Sequence, residues 1–316
     1  MRYLVTGGAG FIGSHTVDEL VRRGHDVVAL DDLSAGKAAN LADTRTKIKL
    51  IQDSVTNLDA LHEACRGVDC VIHLAAQTSV PRSVKDPVET NLINVNGTLN
   101  VLVAARDAKV KRIVFASSCA VYGKTSVLPI RESAGLAPIS PYGLSKQIGE
   151  AYGRVFQELY GLEFVSLRYF NVFGPRQDPS SPYSGVLSLF NAALLEGTQL
   201  TVYGDGEQSR DFVYVANVVE ANVLAAEAPG AAGHAFNIGA GNRHTLNQTL
   251  AMLGKITGRP ASANYASARE GDIRDSRADI SLAQQALGYR PRFDFEEGLK
   301  RTWEWFSANQ RAASNP

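Results

Sequence analysis

Near its start the chain runs Thr6-Gly7-Gly8-Ala9-Gly10-Phe11-Ile12-Gly13. The apolar Tyr3–Thr6 before it reads as a strand, and Phe11–Arg23 after it as a helix. Both G-x-G-x-x-G, from Gly8, and G-x-x-G-x-x-G, from Gly7, fit this turn. Glycines allow the chain to turn tightly and a pyrophosphate to approach the helix N-terminus, whose free N–H groups attract anions. A second strand, His25–Leu30, ends at Asp31, at the spacing expected of a ribose-binding carboxylate. A carboxylate there accepts from a 2′-OH and repels a 2′-phosphate, which favours NAD over NADP. Gly7, Gly10, Phe11, Ile12, Gly13 and Asp31 are the expected cofactor contacts, and Asp32 reads as a loop residue.

The alternation continues beyond that turn. Lys47–Ile51 reads as a strand, Asn57–Cys65 as a helix and Cys70–Leu74 as a strand. Val88–Ala108 reads as one long helix, Arg112–Ala116 as a strand, Pro141–Tyr160 as a helix and Glu163–Tyr169 as a strand. Strands alternating with helices predict a Rossmann-type, doubly wound parallel sheet of the α/β class. After Gly174-Pro175 the pattern loosens and gains Gly, Pro and Ser. We therefore expect an NAD-binding domain over 1–174 and a smaller, mixed substrate lobe over 175–316. A return segment at about 212–240 carries Phe212–Ala226 and Ala235–Ile238 back to the first lobe.

Lysine plus arginine equals aspartate plus glutamate over the 316 residues, so the formal net charge is zero. No block of like charge supports binding to nucleic acid or to an anionic membrane. Cys65, Cys70 and Cys119 form no C-x-x-C pair, so neither a disulfide framework nor a metal site is expected. No charged segment leads an apolar targeting stretch, and no apolar run reaches membrane length. The expected setting is a reducing cytoplasm.

Chemistry is signalled at two further places. Ser117-Ser118-Cys119-Ala120-Val121-Tyr122-Gly123 follows the fifth strand. Tyr142-Gly143-Leu144-Ser145-Lys146 opens a long helix. Tyr142 and Lys146, four apart, fall on one helix face. A nearby ammonium stabilises a phenolate, so the tyrosine pKa is expected to fall and Tyr142 to act as a base near neutral pH.

With these motifs the chain resembles the extended short-chain dehydrogenase/reductases, and among them the UDP-hexose 4-epimerases. The likeness includes His73-Leu74-Ala75-Ala76, Asn94-Val95-Asn96-Gly97-Thr98 and Arg168-Tyr169-Phe170-Asn171-Val172-Phe173-Gly174. It continues through Gly204-Asp205-Gly206-Glu207, Ser209-Arg210-Asp211-Phe212 and Arg269-Glu270-Gly271-Asp272. Val80-Pro81-Arg82-Ser83 and Arg176-Gln177-Asp178-Pro179 are similar to the bacterial UDP-N-acetylglucosamine 4-epimerases.

The resemblance implies Tyr142 as base, Lys146 as its electrostatic partner and ribose ligand, and Ser118 as the catalytic hydroxyl. It implies Asp53 and Ser54 beside the adenine, Ala75 and Ala76 at the nicotinamide ribose, and Asn94 in support of the cofactor. Ser79, Asn171, Gln177, Gly185, Arg210, Arg269, Asp272 and Ser276 are then expected around a UDP-sugar. Both arginines suit a diphosphate, where a planar fork donates twice. The implied activity is an NAD-dependent, redox-neutral C4 epimerisation through a 4-keto sugar. Ser276, small and able to hydrogen-bond an amide, is expected to leave room for an N-acetyl group. His73 and Cys119 are read as packing residues.

Among related activities, 4,6-dehydratases place an Asp-Glu pair after the catalytic hydroxyl, and decarboxylases a glutamate at the second of those positions. Here they are Cys119 and Ala120, neither of which can serve. A UDP-glucuronate 4-epimerase fits the same motifs. A non-catalytic NAD-binding regulator would be marked by loss of Tyr142 or Lys146, and both are present. The family also implies a homodimer, paired through helices 88–108 and 141–160.

Overall fold

The computed structural model describes residues 1–178, 185–268 and 273–314, with side chains through Asn309. The first half is a run of βα units: β1 Arg2–Thr6, α1 Phe11–Arg22, β2 Asp26–Leu30, β3 Ile48–Ile51, α2 Leu58–Ala64 and β4 Cys70–His73. Then come α3 Val80–Lys85, α4 Pro87–Asn91, α5 Gly97–Asp107, β5 Arg112–Ser118, α6 Pro141–Tyr160 and β6 Glu163–Tyr169. The second half holds β7 Asn171–Phe173, α7 Val186–Glu196, β8 Leu200–Tyr203, β9 Ser209–Arg210, β10 Phe212–Tyr214 and α8 Val215–Glu227. It ends with β11 Ala235–Ile238, β12 His244–Thr245, α9 Leu246–Thr257, β13 Ala263–Ala266, α10 Ser281–Leu287 and α11 Phe295–Ser314.

Seven parallel strands form one sheet in the order β11-β6-β5-β4-β1-β2-β3, the doubly wound architecture expected. Both faces are covered, so every strand but the edge strand β3 is buried along almost its whole length. Val17 and Leu20 of α1, with Val218, Ala221 and Ala225 of α8, cover one face. Leu61 of α2, Val101 and Leu102 of α5, and Phe156 of α6 cover the other. A third core, around Phe173, Phe190, Phe212, Phe295 and Leu299, sits among α7, α9 and α11. Phe11 and Ile12 of α1 pack against it, so the dinucleotide turn touches the second lobe directly.

Helix α6 has the expected limits for local reasons. The Ser140 hydroxyl accepts from Gly143 N–H, Pro141 occupies the first turn, and Gly161 closes the helix in a left-handed conformation. The helix expected over 88–108 is present, running from Pro87 to Asp107 without leaving helical backbone. Asp86 caps its start at Pro87, and Leu92–Asn96 is a widened π turn between α4 and α5. Among the described residues no helix is long and apolar enough to cross a membrane.

Candidate active site

Strands β1, β4, β5 and β6 end on one edge of the sheet, and the expected cofactor residues meet there. Gly7 has φ +69°, and a Cβ on it would lie 2.8 Å from Ala75 N. A Cβ on Gly13 would lie 1.9 Å from Gly7 O. Any side chain at either place would fill the cradle. Helix α1 starts after Gly10 with no side-chain cap, which leaves first-turn N–H groups of Phe11, Ile12 and Gly13 for an anion. Asp31 is buried and accepts from Ala9 N at 2.9 Å and Leu33 N at 2.9 Å. A carboxylate offers about four acceptor sites, so capacity remains for a ribose diol. Burial holds its pKa above the usual carboxylate range, against the opposing pull of the Leu33 and Ala9 N–H groups. Cradle, uncapped helix and carboxylate together fit NAD.

Asp53 and Ser54 follow β3. Asp53 accepts from Ser54 N and Asn57 Nδ2, and the Ser54 hydroxyl accepts from Thr56. Ala75 N donates to Thr6 Oγ1 at 3.3 Å, and Ala76 is next in the same loop. Asn94, in the π turn, straps that loop to α6. Its Oδ1 accepts from Gln77 N at 2.8 Å, and its Nδ2 donates to Gln77 O and to Ser145 Oγ. Ser79 caps α3 by accepting from Arg82 N, so its hydroxyl already has a local role.

His73 is a core residue. Thr98 Oγ1 donates to Asn94 O at 2.6 Å, so it accepts from His73 Nε2–H. Nδ1 then accepts from Thr6 Oγ1 at 2.7 Å. Burial, with Lys146 nearby, lowers the His73 pKa to about 3 and keeps the ring neutral.

Ser118 ends β5, its Oγ accepting from Ala120 N at 3.2 Å, and lies near enough to Tyr142 to favour the phenolate. Lys146, one turn further along α6, is buried with Nζ 5.0 Å above the Phe115 ring and 5.9 Å from the Tyr142 ring. The electrostatics differ from expectation. Burial pushes the Tyr142 phenol up to about 12, with the Ser118 hydroxyl pulling the other way. Burial alone brings Lys146 down to about 7. Desolvation of both groups outweighs any stabilisation of phenolate by ammonium in the protein alone. The Cys119 thiol is pushed up to about 11, as an inert packing residue would be.

The register of α6 on the sheet comes from a network that motif reading missed. Arg168 on β6 donates to both oxygens of Glu150, at 2.9 and 2.7 Å, and to the Tyr122 hydroxyl. Ser117 Oγ donates to Glu150 Oε1. Tyr142, Lys146 and Glu150 are four residues apart in turn, and that spacing was the available signal.

Beside this edge a cavity of about 300 Å³ is lined by Asn171, Gln177, Gly185, Val202, Arg210 and Phe212, among others. Gly185 lies close to Gln177, 3.1 Å separating Gln177 Nε2 from the place of a Cβ. Asn171 Nδ2 donates to Asp211 O at 3.1 Å and to Ser276 Oγ at 3.4 Å. Ser276 is buried, its N–H on Ser209 O. Arg210 Nη1 donates to Ser209 O and Arg274 O. Arg269 and Asp272 lie outside the described residues, as does Pro179.

The sequence profile of the NAD dependent epimerase/dehydratase family matches residues 3–239. The chain is 39% identical over 310 residues to the UDP-glucose 4-epimerase of Mycolicibacterium smegmatis, covering 97% of this chain and 98% of that one. It superposes on the UDP-glucose 4-epimerase of Thermotoga maritima, solved with UDP-glucose, with a TM-score of 0.94. That identity is 40%, over 98% of this chain and 100% of the other. The UDP-N-acetylglucosamine 4-epimerase of Methanobrevibacter ruminantium, solved with UDP-N-acetylmuramic acid, superposes with a TM-score of 0.93. Its identity is 40%, with 98% of each chain covered. From the dinucleotide cradle to the end of the main sheet, the chain belongs to the NAD dependent epimerase/dehydratase family, in its UDP-hexose 4-epimerase branch, and is an NAD-dependent isomerase.

Proposed function

We propose that the protein interconverts C4 epimers of UDP-hexoses, acting on UDP-N-acetylglucosamine and UDP-N-acetylgalactosamine and also on UDP-glucose and UDP-galactose. The observation that carries this reading is the pairing of Tyr142 and Lys146 on one face of α6, with Ser118 near the phenol, in a fold that also holds a cavity lined by Asn171, Gln177 and Arg210. Tyr142 takes the O4 proton, and Ser118 hydrogen-bonds the same oxygen. Lys146 holds positive charge near the phenol and binds the cofactor ribose. When bound, NAD supplies the acceptor and donor of the C4 hydride and a positive charge beside the phenol. Asp53, Ser54, Ala75, Ala76 and Asn94 support it.

Arg210 and Arg269 grip the diphosphate, and Asn171, Gln177 and Gly185 line its approach. Firm hold on the nucleotide with loose hold on the hexose lets a 4-keto sugar turn before hydride returns to its other face. In this reading residues 1–174, with the return at 212–240, hold NAD, and 175–316 hold the nucleotide-sugar. The buried free thiols of Cys65 and Cys70 suit a reducing cytoplasm. The working unit is a homodimer.

Sugar choice rests on Ser276, a small hydroxyl residue beside Asn171. The purified protein, given UDP-N-acetylglucosamine, UDP-glucose and UDP-glucuronate separately, should form C4 epimers of the first two, the acetylated sugar turning over at least as fast. Ser276→Tyr should depress turnover of the acetylated substrate and spare UDP-glucose, because overfilling a pocket discriminates by size. Equal losses on both sugars would defeat the pocket argument. Epimerisation of UDP-glucuronate alone would replace the substrate class.

A further inference from the structure

Asp211 stands between Arg210 and Phe212, two residues of the cavity wall, yet its carboxylate is turned away from solvent with 0% exposure. Oδ1 accepts from Ala240 N at 2.7 Å, and Oδ2 accepts from Gly241 N at 3.1 Å and Ala278 N at 3.0 Å. Its own carbonyl accepts from both Asn171 N and Asn171 Nδ2. One residue therefore joins three distant pieces of chain. They are the start of β7, the loop that leaves β11 at the edge of the main sheet, and the Ser276–Ala278 strip.

The fit around the carboxylate is tight. A Cβ on Gly239 would lie 2.9 Å from Asp211 Oδ2 and 2.8 Å from the Ala278 methyl. Arg277 sends its Nε to Gly241 O rather than to the carboxylate. Burial pushes the Asp211 carboxyl up to about 6 in spite of the N–H donors and the nearby Arg277 charge. A buried charge without a direct counter-ion is a poor source of stability. What Asp211 supplies is geometry. An ionised carboxylate accepts on both oxygens, and a side-chain amide could not serve donors on both sides.

We propose that Asp211 is a positioning residue for the nucleotide-sugar. Its carboxylate sets Arg210, Asn171 and Ser276 relative to the NAD lobe. The proposal rests on the epimerase reading for the identity of the ligand. A misplacement of about an ångström in such a shell weakens a ligand held by directional hydrogen bonds. No hydrogen bond among the described residues links the Asp211 carboxylate or its three N–H donors to Tyr142 or Ser118, so the loss should fall on binding rather than on chemistry.

The test uses UDP as the probe in calorimetry, with turnover of UDP-hexose measured alongside. Asp211→Asn should weaken UDP binding and raise KM by at least about tenfold, with kcat changed by less than about threefold and NAD content unaltered. Gly239→Ala, which keeps the carboxylate but crowds it, should move UDP affinity in the same direction, and it decides the matter if Asp211→Asn does not fold. Wild-type UDP affinity and KM in these variants, even with a lowered melting temperature, would reduce Asp211 to a structural brace and overturn the proposal. So would equal effects on kcat and NAD content. Wild-type protein that binds UDP but epimerises no UDP-hexose would refute the epimerase reading, and the UDP affinities of the variants would still decide on Asp211.

Discussion

At Tyr142 a single proton governs the proposed chemistry. The phenol is buried, its pKa is pushed up to about 12, and its hydroxyl has Ser118 as neighbour. Tyr142→Phe removes that oxygen and leaves the ring. The variant should purify with the wild-type complement of NAD and lose about 10²- to 10⁴-fold in turnover. An active phenylalanine variant would remove Tyr142 from the mechanism. Lys146 gives a second measurement, this time of stability. Its folded pKa is lowered to about 7, whereas the unfolded chain keeps the proton to about 10.5. Between those values the unfolded state binds more protons, so the stability of NAD-free protein should rise with pH, by up to about 1.4 kcal/mol per unit from this group. Lys146→Met should flatten the rise, read as urea midpoints at pH 7 and pH 9.5. Equal slopes in the two proteins would mean that the folded lysine stays charged. The placing of both residues on one helix face was legible from the Y-x-x-x-K spacing. The direction of the tyrosine shift was not, because spacing reports proximity and carries no measure of desolvation. Asp211 shows the same limit: it was read as part of a motif, while its three N–H partners come from residues 29 to 67 positions further along the chain.

Helices α4–α5 and α6 show what local sequence does and does not determine. The limits of α6 were readable because Ser140, Pro141 and Gly161 are cap and stop residues acting within a turn of themselves. The helix over 88–108 was readable, but the π turn at Leu92–Asn96 within it was not, since its residues continue an apolar pattern. The widened turn carries Asn94, whose amide is satisfied only by Gln77 and Ser145 from other elements. Likewise the Arg168–Glu150 pair joins β6 to α6, and no window of either element alone reveals it. Helix α6 also approaches the sheet unusually closely. A Cβ on Gly153 would meet the Phe164 ring at 2.1 Å. Gly153→Ala gains about 1 kcal/mol of helix propensity but overpacks the face, which typically costs about 1–3 kcal/mol. At that separation the ring or the helix must shift, so packing wins, and the variant should unfold at lower urea than wild type. A more stable variant would show that α6 is free to move off the sheet.

Across the whole molecule, the outer side of α3, α4 and α6 remains apolar. Val88 and Leu92 are four apart along one helix, and Leu144, Val155 and Leu159 recur along α6 at spacings of eleven and four, so each set lies on one face, with Val84 exposed near the end of α3. Both stripes face solvent, with Val88 77% and Leu159 68% exposed. Scattered exposed apolar residues need no explanation, but two adjacent stripes on neighbouring helices make a patch of the kind that mediates association. In the proposed homodimer a two-fold axis would bring each stripe onto its copy, as in a four-helix bundle, and a stable pair needs about 800 Å² buried per partner. Light scattering at micromolar concentration should therefore give twice the 34.0 kDa of the chain. Val88→Glu with Leu159→Glu places like charges opposite their own copies across such an axis, and should yield a monomer that keeps its NAD, since both positions lie away from the cofactor cradle. A monomeric wild type would defeat the assembly outright. A double variant that remains dimeric would move the interface to another face of the molecule.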